Sequence, residues 1–370
     1  MKLIITAGGG GHFAPALSVY QQLSKDTDIL IIGRKYSLEG MKTLSLEYKT
    51  AKEYGIKFKP LIAGRLQRTF TRYTFASLLK IPIGLVQSFY MLSTFQPDVV
   101  FATGGYVTVP VCIAAFFLRI PIVIHEQTLG IGLSNKIISY VAKAICISFK
   151  ESEACYPKEK TVLTGNPIRQ EIMSPSLSVP DYITKEFLSL SDPVVYITGG
   201  SLGSHGINLA VEACLSKLLK KYRIIHQTGD AQKFADFERL EKRKSHRYIP
   251  VRFISPNQTG YILKLADLVI SRAGMNSISE FIYTKKPALL IPLMSTQKGE
   301  QKKNALYFTH AGLGQILSED NLSEEILYQK VEKMMNKIDE YKNNFKRSNI
   351  LIRKDAAKKV IDVITSIDKN

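Results

Sequence analysis

Asn276 and Glu280 lie four residues apart, a spacing that puts both on one face of a helix. The apolar run Leu268-Val269-Ile270-Ser271 before them reads as a buried strand and stops at Arg272-Ala273-Gly274. Beyond Ala288-Leu289-Leu290-Ile291-Pro292, a second buried strand, comes the polar stretch Gln297 to Ala305. A strand, tight turn, helix and strand form one unit of a parallel sheet. Such a turn offers backbone N–H groups and the positive end of a helix dipole to phosphate. The candidate nucleotide-sugar-binding residues of this unit are Gly274, Met275, Asn276, Ser277, Ile278, Ser279 and Glu280. Glu280, one turn further in, can accept from two neighbouring ribose hydroxyls; the alternative is a solvated surface carboxylate. Glu300 and Gln301, at the start of the following helix, suit sugar hydroxyls and favour nucleotide-sugar binding.

A second group opens the chain. Lys2 to Thr6 reads as a strand, followed by Gly8, Gly9, Gly10, Gly11 and His12, then a helix with Pro15 in its first turn. Four successive glycines let backbone approach a ligand closely. This is not the dinucleotide fingerprint, because the second strand, Asp28 to Gly33, does not end in an acidic residue. His12 reads as catalytic or substrate-contacting, with a structural histidine as the alternative. Asp26-Thr27-Asp28 resembles a metal-holding DxD, but it precedes a strand and reads as a turn, which favours chemistry without metal.

The elements that position these residues repeat. Val99 to Ala102 is a strand ending in Thr103-Gly104-Gly105-Tyr106, and Ile122 to Ile124 is a strand ending in His125-Glu126-Gln127-Thr128. Val194 to Thr198 ends in Gly199-Gly200-Ser201, Arg223 to His226 ends in Gln227-Thr228-Gly229, and Val251 to Ile254 leads into the Leu268 unit. Two comparable halves, each opening with a strand and a glycine turn, predict two Rossmann-like α/β domains with parallel sheets facing a cleft. The expected division is 1–163, a linker over 164–193, 194–345, and a C-terminal helix over 346–370 that packs back on the first domain.

The chain has 370 residues, 45% apolar and 22% charged, which fits a soluble globular protein of two domains. The four cysteines lack CxxC or metal-ligand spacing and read as reduced core thiols of a cytosolic protein. No signal peptide is expected, and the apolar run Val107 to Ile124 suits a core helix and strand better than a membrane span. Net charge of +18 implies an acidic partner or surface, but no nucleic-acid motif accompanies it. From Tyr54 to Pro97 there is no acidic residue. Arg65, Arg68, Arg72 and Lys80 alternate there with Phe75, Leu79 and other apolar residues, which suits an anionic membrane surface. A core-packing helix with a solvated basic face is equally compatible.

Taken in order, Gly8 to His12 with Pro15, Gly104-Gly105-Tyr106, His125-Glu126-Gln127, Gly165 to Arg169, Gly199-Gly200-Ser201, His226 to Gly229, and Ser279-Glu280 with Gln301 and Asn304-Ala305 resemble the MurG family. The resemblance runs from Thr6 to about Gly314. It implies a GT-B fold and inverting, metal-independent transfer of N-acetylglucosamine from UDP-N-acetylglucosamine, with no cofactor. The implied acceptor is an undecaprenyl-diphosphate-linked sugar (lipid I), met at the cytoplasmic face of the membrane by a peripheral protein. It further implies that Glu280 holds the ribose, that Phe253 and Ile254 border the uracil, and that Ser201, Arg169 and Gln301 reach the donor. Gly8 to Gly11, Gly104 to Tyr106 and Glu126 to Thr128 would receive the acceptor diphosphate, with His12 near the reacting hydroxyl. Gly10, Thr128 and Glu300 depart from the family's Thr, Asn and Gln. Rival readings are a related transferase acting on another prenyl-diphosphate sugar, such as an archaeal pseudomurein precursor, a UDP-sugar 2-epimerase, and a nucleic-acid binder.

Overall fold

The computed structural model describes residues 1–37, 43–64, 74–229, 234–293, 299–348, 350 and 352–368, with backbone only for 74–78. Arg65, Arg68, Arg72 and the Phe75 side chain therefore lie outside the described residues, as do Gln297 and Lys298. The chain divides into two compact units, Met1–Arg169 with Arg353–Asn370, and Gln170–Ile352.

Among the described residues, the first unit holds seven parallel strands: β1 (Lys2–Thr6), β2 (Asp28–Gly33), β3 (Lys57–Pro60), β4 (Val99–Ala102), β5 (Ile122–Glu126), β6 (Ala144–Ile147) and β7 (Thr161–Leu163). Their order is β3-β2-β1-β4-β5-β6-β7, and every pairing is parallel. The chain winds outward from β1 in one direction and from β4 in the other, so the topological switch point lies between β1 and β4. The second unit repeats the pattern with β8 (Val194–Thr198), β9 (Arg223–Gln227), β10 (Tyr248–Val251), β11 (Leu268–Ser271), β12 (Ala288–Leu290) and β13 (Gly314–Ile316). Its order is β10-β9-β8-β11-β12-β13, with the switch between β8 and β11.

Apolar runs make these strands central: Leu3, Ile4, Ile5, Val99, Val100, Phe101, Val194, Val195, Ile197 and Leu268 to Ile270 are fully buried. Each such side chain contributes about 1.5–3 kcal/mol relative to exposure. Helices cover both faces, as parallel sheets require.

Four differences from the sequence reading have local causes. The strand expected at Val251 to Ile254 lies at Tyr248–Val251, because Pro256 opens the next helix and the residues before it are needed as its entry. β3 escaped notice because Lys57 and Lys59 alternate on an edge strand closed by Pro60, and Lys57 pairs with Asp28 at 2.6 Å. Asp28 thus belongs to the strand edge opposite the glycine loops. Of the four thiols read as core, Cys155 is exposed; it sits in a 3-10 turn, while Cys112, Cys146 and Cys214 are buried.

The boundary between units falls at Arg169 instead of across a long linker. Thr164 and Gly165 bond to the Ile147 carbonyl, and Ser18 Oγ donates to Ile168 O at 2.6 Å, which ties 164–168 to the first sheet. Beyond it, Ile172, Ile183 and Phe187 are buried, and Arg223 donates to the Phe187 and Asp192 carbonyls. The helix Ala356–Asp368 buries Ala357, Val360 and Ile364 in one cluster with Leu3, Ile5, Phe13, Val99 and Phe101. Ile364→Ala should cost about 2–5 kcal/mol through the cavity it leaves. Urea denaturation monitored on the first unit checks this, and an unchanged midpoint would mean the helix adds nothing to that core.

Candidate active site

At the first switch point the loops after β1 and β4 meet backbone to backbone. Gly8 N donates to Gly104 O at 2.9 Å, and a Cβ on Gly105 would stand 2.5 Å from Gly8 O. Gly105 has φ 91 and Gly104 φ 102, so both the close approach and the left-handed conformation require glycine. The helix Gly10–Tyr20 begins here, and Tyr106 follows on the facing loop.

His12 is partly buried between these loops. Thr103 Oγ1 donates to the His12 carbonyl at 2.7 Å, and His12 Nδ1 lies 3.2 Å from Thr103 O. Only Nδ1–H can satisfy that carbonyl. Gln127 reaches the same Nδ1, its Nε2 at 2.5 Å, while its Oε1 is buried without a partner. A half-turn of the amide exchanges O for N, so that Nδ1–H can donate to both carbonyl oxygens. This tautomer leaves Nε2 as a proton acceptor. Burial lowers the His12 pKa below its ordinary value, with Arg34 acting the same way and the Glu126 carboxylate opposing them. A neutral imidazole with a free Nε2 can act as a base.

Glu126 is turned inward. Thr128 N (3.1 Å), Thr128 Oγ1 (2.7 Å), Gly132 N (3.1 Å), Asn135 Nδ2 (3.0 Å) and Tyr156 OH (3.0 Å) all donate to its carboxylate. The carboxylate therefore shapes the 127–132 loop, and Thr128 serves as one of its donors. His125 lies behind the loop, with Nε2 3.1 Å from Gly165 O, and burial pushes its pKa down to about 4.

In the second unit, Gly200 (φ 88) and Gly203 (φ 78) bend the loop after β8, and a Cβ on Gly203 would meet Thr228 O at 2.0 Å. Ser201 lies on this loop, partly buried. After β11, Gly274 caps the helix Met275–Thr284; Met275, Ile278, Ser279 and Glu280 are buried, while Asn276 and Ser277 are partly exposed. The turn is held from the next helix, Glu300–His310. Gln301 Oε1 accepts from Ala273 N at 3.3 Å and Leu293 N at 2.9 Å, and Asn304 Nδ2 donates to Ala273 O at 3.1 Å. The Gln301 oxygen is thus committed to backbone, a use its position in the sequence did not reveal. Glu300 is the first residue of this helix, where the dipole favours its charge. Phe253 and Ile254 follow β10, and Arg169 is the last residue of the first unit.

Arg272 and His226, read in the sequence only as parts of a turn and a strand end, and Arg34 and Glu47, which that reading passed over, complete both edges. Arg272 bonds to Ser204 Oγ (2.7 Å), Ile291 O (3.2 Å) and Glu319, bracing the second switch point. Behind it, His226 donates from Nε2 to Asn208 Oδ1 and accepts at Nδ1 from Tyr248 OH, each at 3.0 Å. In the first unit, buried Glu47 accepts from Gly9 N at 3.2 Å and pairs with Arg34 at 3.5 Å. Burial raises the Glu47 pKa, and Arg34 offsets part of the rise.

Residues 3–147 match the glycosyltransferase family 28 N-terminal domain and residues 194–360 its C-terminal domain. The UDP-N-acetylglucosamine–N-acetylmuramyl-(pentapeptide) pyrophosphoryl-undecaprenol N-acetylglucosamine transferase of Clostridium kluyveri is 34% identical over 369 residues, 98% of this chain and 99% of that protein. The chain belongs to the MurG family. The transferase of the same name from Clostridium botulinum (strain Loch Maree) is 36% identical over 354 residues, 95% of this chain and 96% of that protein. The crystal structure of Acinetobacter baumannii MurG aligns with TM-score 0.67 at 25% identity, covering 99% of each chain. A UDP-GlcNAc 2-epimerase from Neisseria meningitidis, bound to UDP-GlcNAc, also aligns with TM-score 0.67, but at 16% identity over 99% of this chain and 100% of that one. That likeness is one of fold. A MurG-family chain with two parallel α/β units is a GT-B glycosyltransferase.

Gln127→Glu places a carboxylate against His12 Nδ1–H and should raise the His12 titration by about 1–3 pH units. The sign follows because the new charge favours the imidazolium, which burial and Arg34 disfavour. An NMR titration of the imidazole measures it. An unmoved midpoint would show that Gln127 does not hold Nδ1.

Proposed function

We propose that this chain transfers N-acetylglucosamine from UDP-N-acetylglucosamine to an undecaprenyl-diphosphate-linked N-acetylmuramyl-pentapeptide, with inversion, at the cytoplasmic face of the membrane. The carrying observation is the full-length match to transferases of that name at 34–36% identity. In this reading Glu280 accepts from the ribose hydroxyls, Phe253 and Ile254 border the uracil, and the N–H groups of Gly274 to Ser277 face phosphate. Ser201 and Arg169 add donor contacts. Gln301 directs its amide N–H groups at the sugar, since its oxygen holds the turn. Glu300 accepts from a sugar hydroxyl, a role open to a carboxylate as well as to Gln.

The acceptor diphosphate lies at Gly8 to Gly11 and Gly104 to Tyr106, and Glu126 and Thr128 act by shaping their loop. His12 Nε2 takes the proton of the acceptor hydroxyl as that oxygen bonds to the anomeric carbon. The bond from that carbon to the diphosphate oxygen breaks, its electron pair leaves with UDP, and backbone N–H groups stabilise the charge. UDP-N-acetylglucosamine is a substrate, and no other organic group has a part in these steps.

The membrane face is proposed on exposure. The helices Thr74–Phe95 and Thr108–Phe117 pack together and expose Leu79, Val86, Tyr90, Phe116 and Phe117 by 51–70%. Tyr140, after the adjoining helix Leu133–Ser139, is 76% exposed. So many large apolar groups on neighbouring helices suit the headgroup boundary. Lys80 stands beside them on the helix Thr74–Phe95 and adds a basic residue to this face.

Transfer of labelled sugar from UDP-N-acetylglucosamine to lipid I tests the reaction. Glu280→Ala should weaken UDP binding by about 1.5–3 kcal/mol, and His12→Ala should slow turnover about 10²–10⁴-fold with UDP affinity little changed. Wild-type inactivity on this pair, with activity on another prenyl-diphosphate sugar, would move the acceptor assignment; epimerisation without acceptor would replace the reaction. For the membrane face, Val86→Asp with Phe117→Asp should reduce sedimentation with anionic vesicles while UDP affinity stays put. Equal sedimentation would reject that face.

A further inference from the structure

Arg34 follows β2 and turns back over the first glycine loop. Its Nη2 lies 2.7 Å from where a Cβ on Gly9 would stand, and its guanidinium carbon is 5.5 Å from the Tyr106 ring centroid. Glu47 Oε1 accepts from Gly9 N at 3.2 Å and pairs with Arg34 Nε at 3.5 Å, so one buried carboxylate oxygen positions both the loop and the cation. The ion pair engages the Nε side of the guanidinium. Nη1 and Nη2 make no hydrogen bond among the described residues. A guanidinium so held has two parallel donors left for phosphate oxygens, the bidentate geometry in which Arg surpasses Lys.

We infer that Arg34 is a substrate-binding residue that grips the diphosphate of the lipid-linked acceptor and makes this chain selective for a diphosphate linkage. The inference rests on the proposed function. It deepens it by naming a cation at the first switch point, beside Gly9 and Tyr106. A guanidinium that served only as counter-ion to Glu47 would affect stability and both substrates alike. One that held the donor's diphosphate would affect UDP.

Steady-state kinetics of the full chain separate these cases. Arg34→Gln should raise KM for the diphosphate-linked acceptor about tenfold or more, the scale of a lost charge-assisted pair. Its kcat and its KM for UDP-N-acetylglucosamine should change less than about threefold, well under that scale. Inhibition by inorganic pyrophosphate, competitive with acceptor in the wild type, should weaken in the same proportion. Arg34→Lys, which keeps the charge but lacks the two parallel donors, should fall between; it is the variant to read if Arg34→Gln does not fold. An acceptor KM within twofold of wild type in the variant read, or a shift confined to UDP-N-acetylglucosamine, would overturn the inference. If the wild type does not use lipid I, the proposed function fails instead. Calorimetry of pyrophosphate on wild type and Arg34→Lys then decides Arg34 alone, equal affinity rejecting it.

Discussion

The first unit depends on a contact between two backbones. Gly8 and Gly105 touch where the windings of its sheet diverge, close enough that a methyl group on Gly105 would strike a carbonyl. That contact fixes the distance between the loops after β1 and β4, and therefore where the helix Gly10–Tyr20 begins and where His12 stands. Thr103 hydrogen-bonds the backbone and faces the imidazole of His12 from across this junction. The second unit applies the same constraint between Gly203 and the Thr228–Gly229 turn. Parallel sheets gather every strand-end loop at one edge, but glycine lets two of those loops approach within van der Waals contact.

Around these junctions, buried polar side chains do work that ligands alone would not require. Glu126 collects five donors, Glu47 ties Gly9 to Arg34, and Gln301 with Asn304 grips both the N–H and C=O of Ala273. A satisfied buried network holds a single conformation, because losing one partner leaves a desolvated group. Thr128, a departure from the family pattern, is such a partner: its hydroxyl and its N–H both reach Glu126.

Much of the fold was legible in the sequence because glycine turns and buried apolar runs are local signals. Leu268–Ser271 and Val194–Thr198 could be read residue for residue. β3 could not, since Lys57-Phe58-Lys59-Pro60 resembles a solvated basic segment until Asp28 and β2 are placed beside it. β13 has three residues and takes its identity from pairing with β12. At the candidate site, residue type was readable and side-chain direction was not. Glu126 and Gln301 carry groups suited to a ligand, yet both turn oxygens to their own backbone, and nothing in the sequence distinguishes the two uses. Arg34 and Glu47 escaped because their partnership with Gly9 joins two strand-end loops and a helix far apart in the sequence.

The return of Ala356–Asp368 to the first unit bears on how the chain is made. Ala357, Val360 and Ile364 complete a core whose other members, among them Leu3, Ile5 and Phe13, leave the ribosome more than 300 residues earlier. The second unit, residues 170–352, can mature while that earlier apolar surface still waits for its cover. Domains ordinarily fold in the order of synthesis. Here the unit that emerges earlier is the later to close, and the interval is the time taken to translate the unit between.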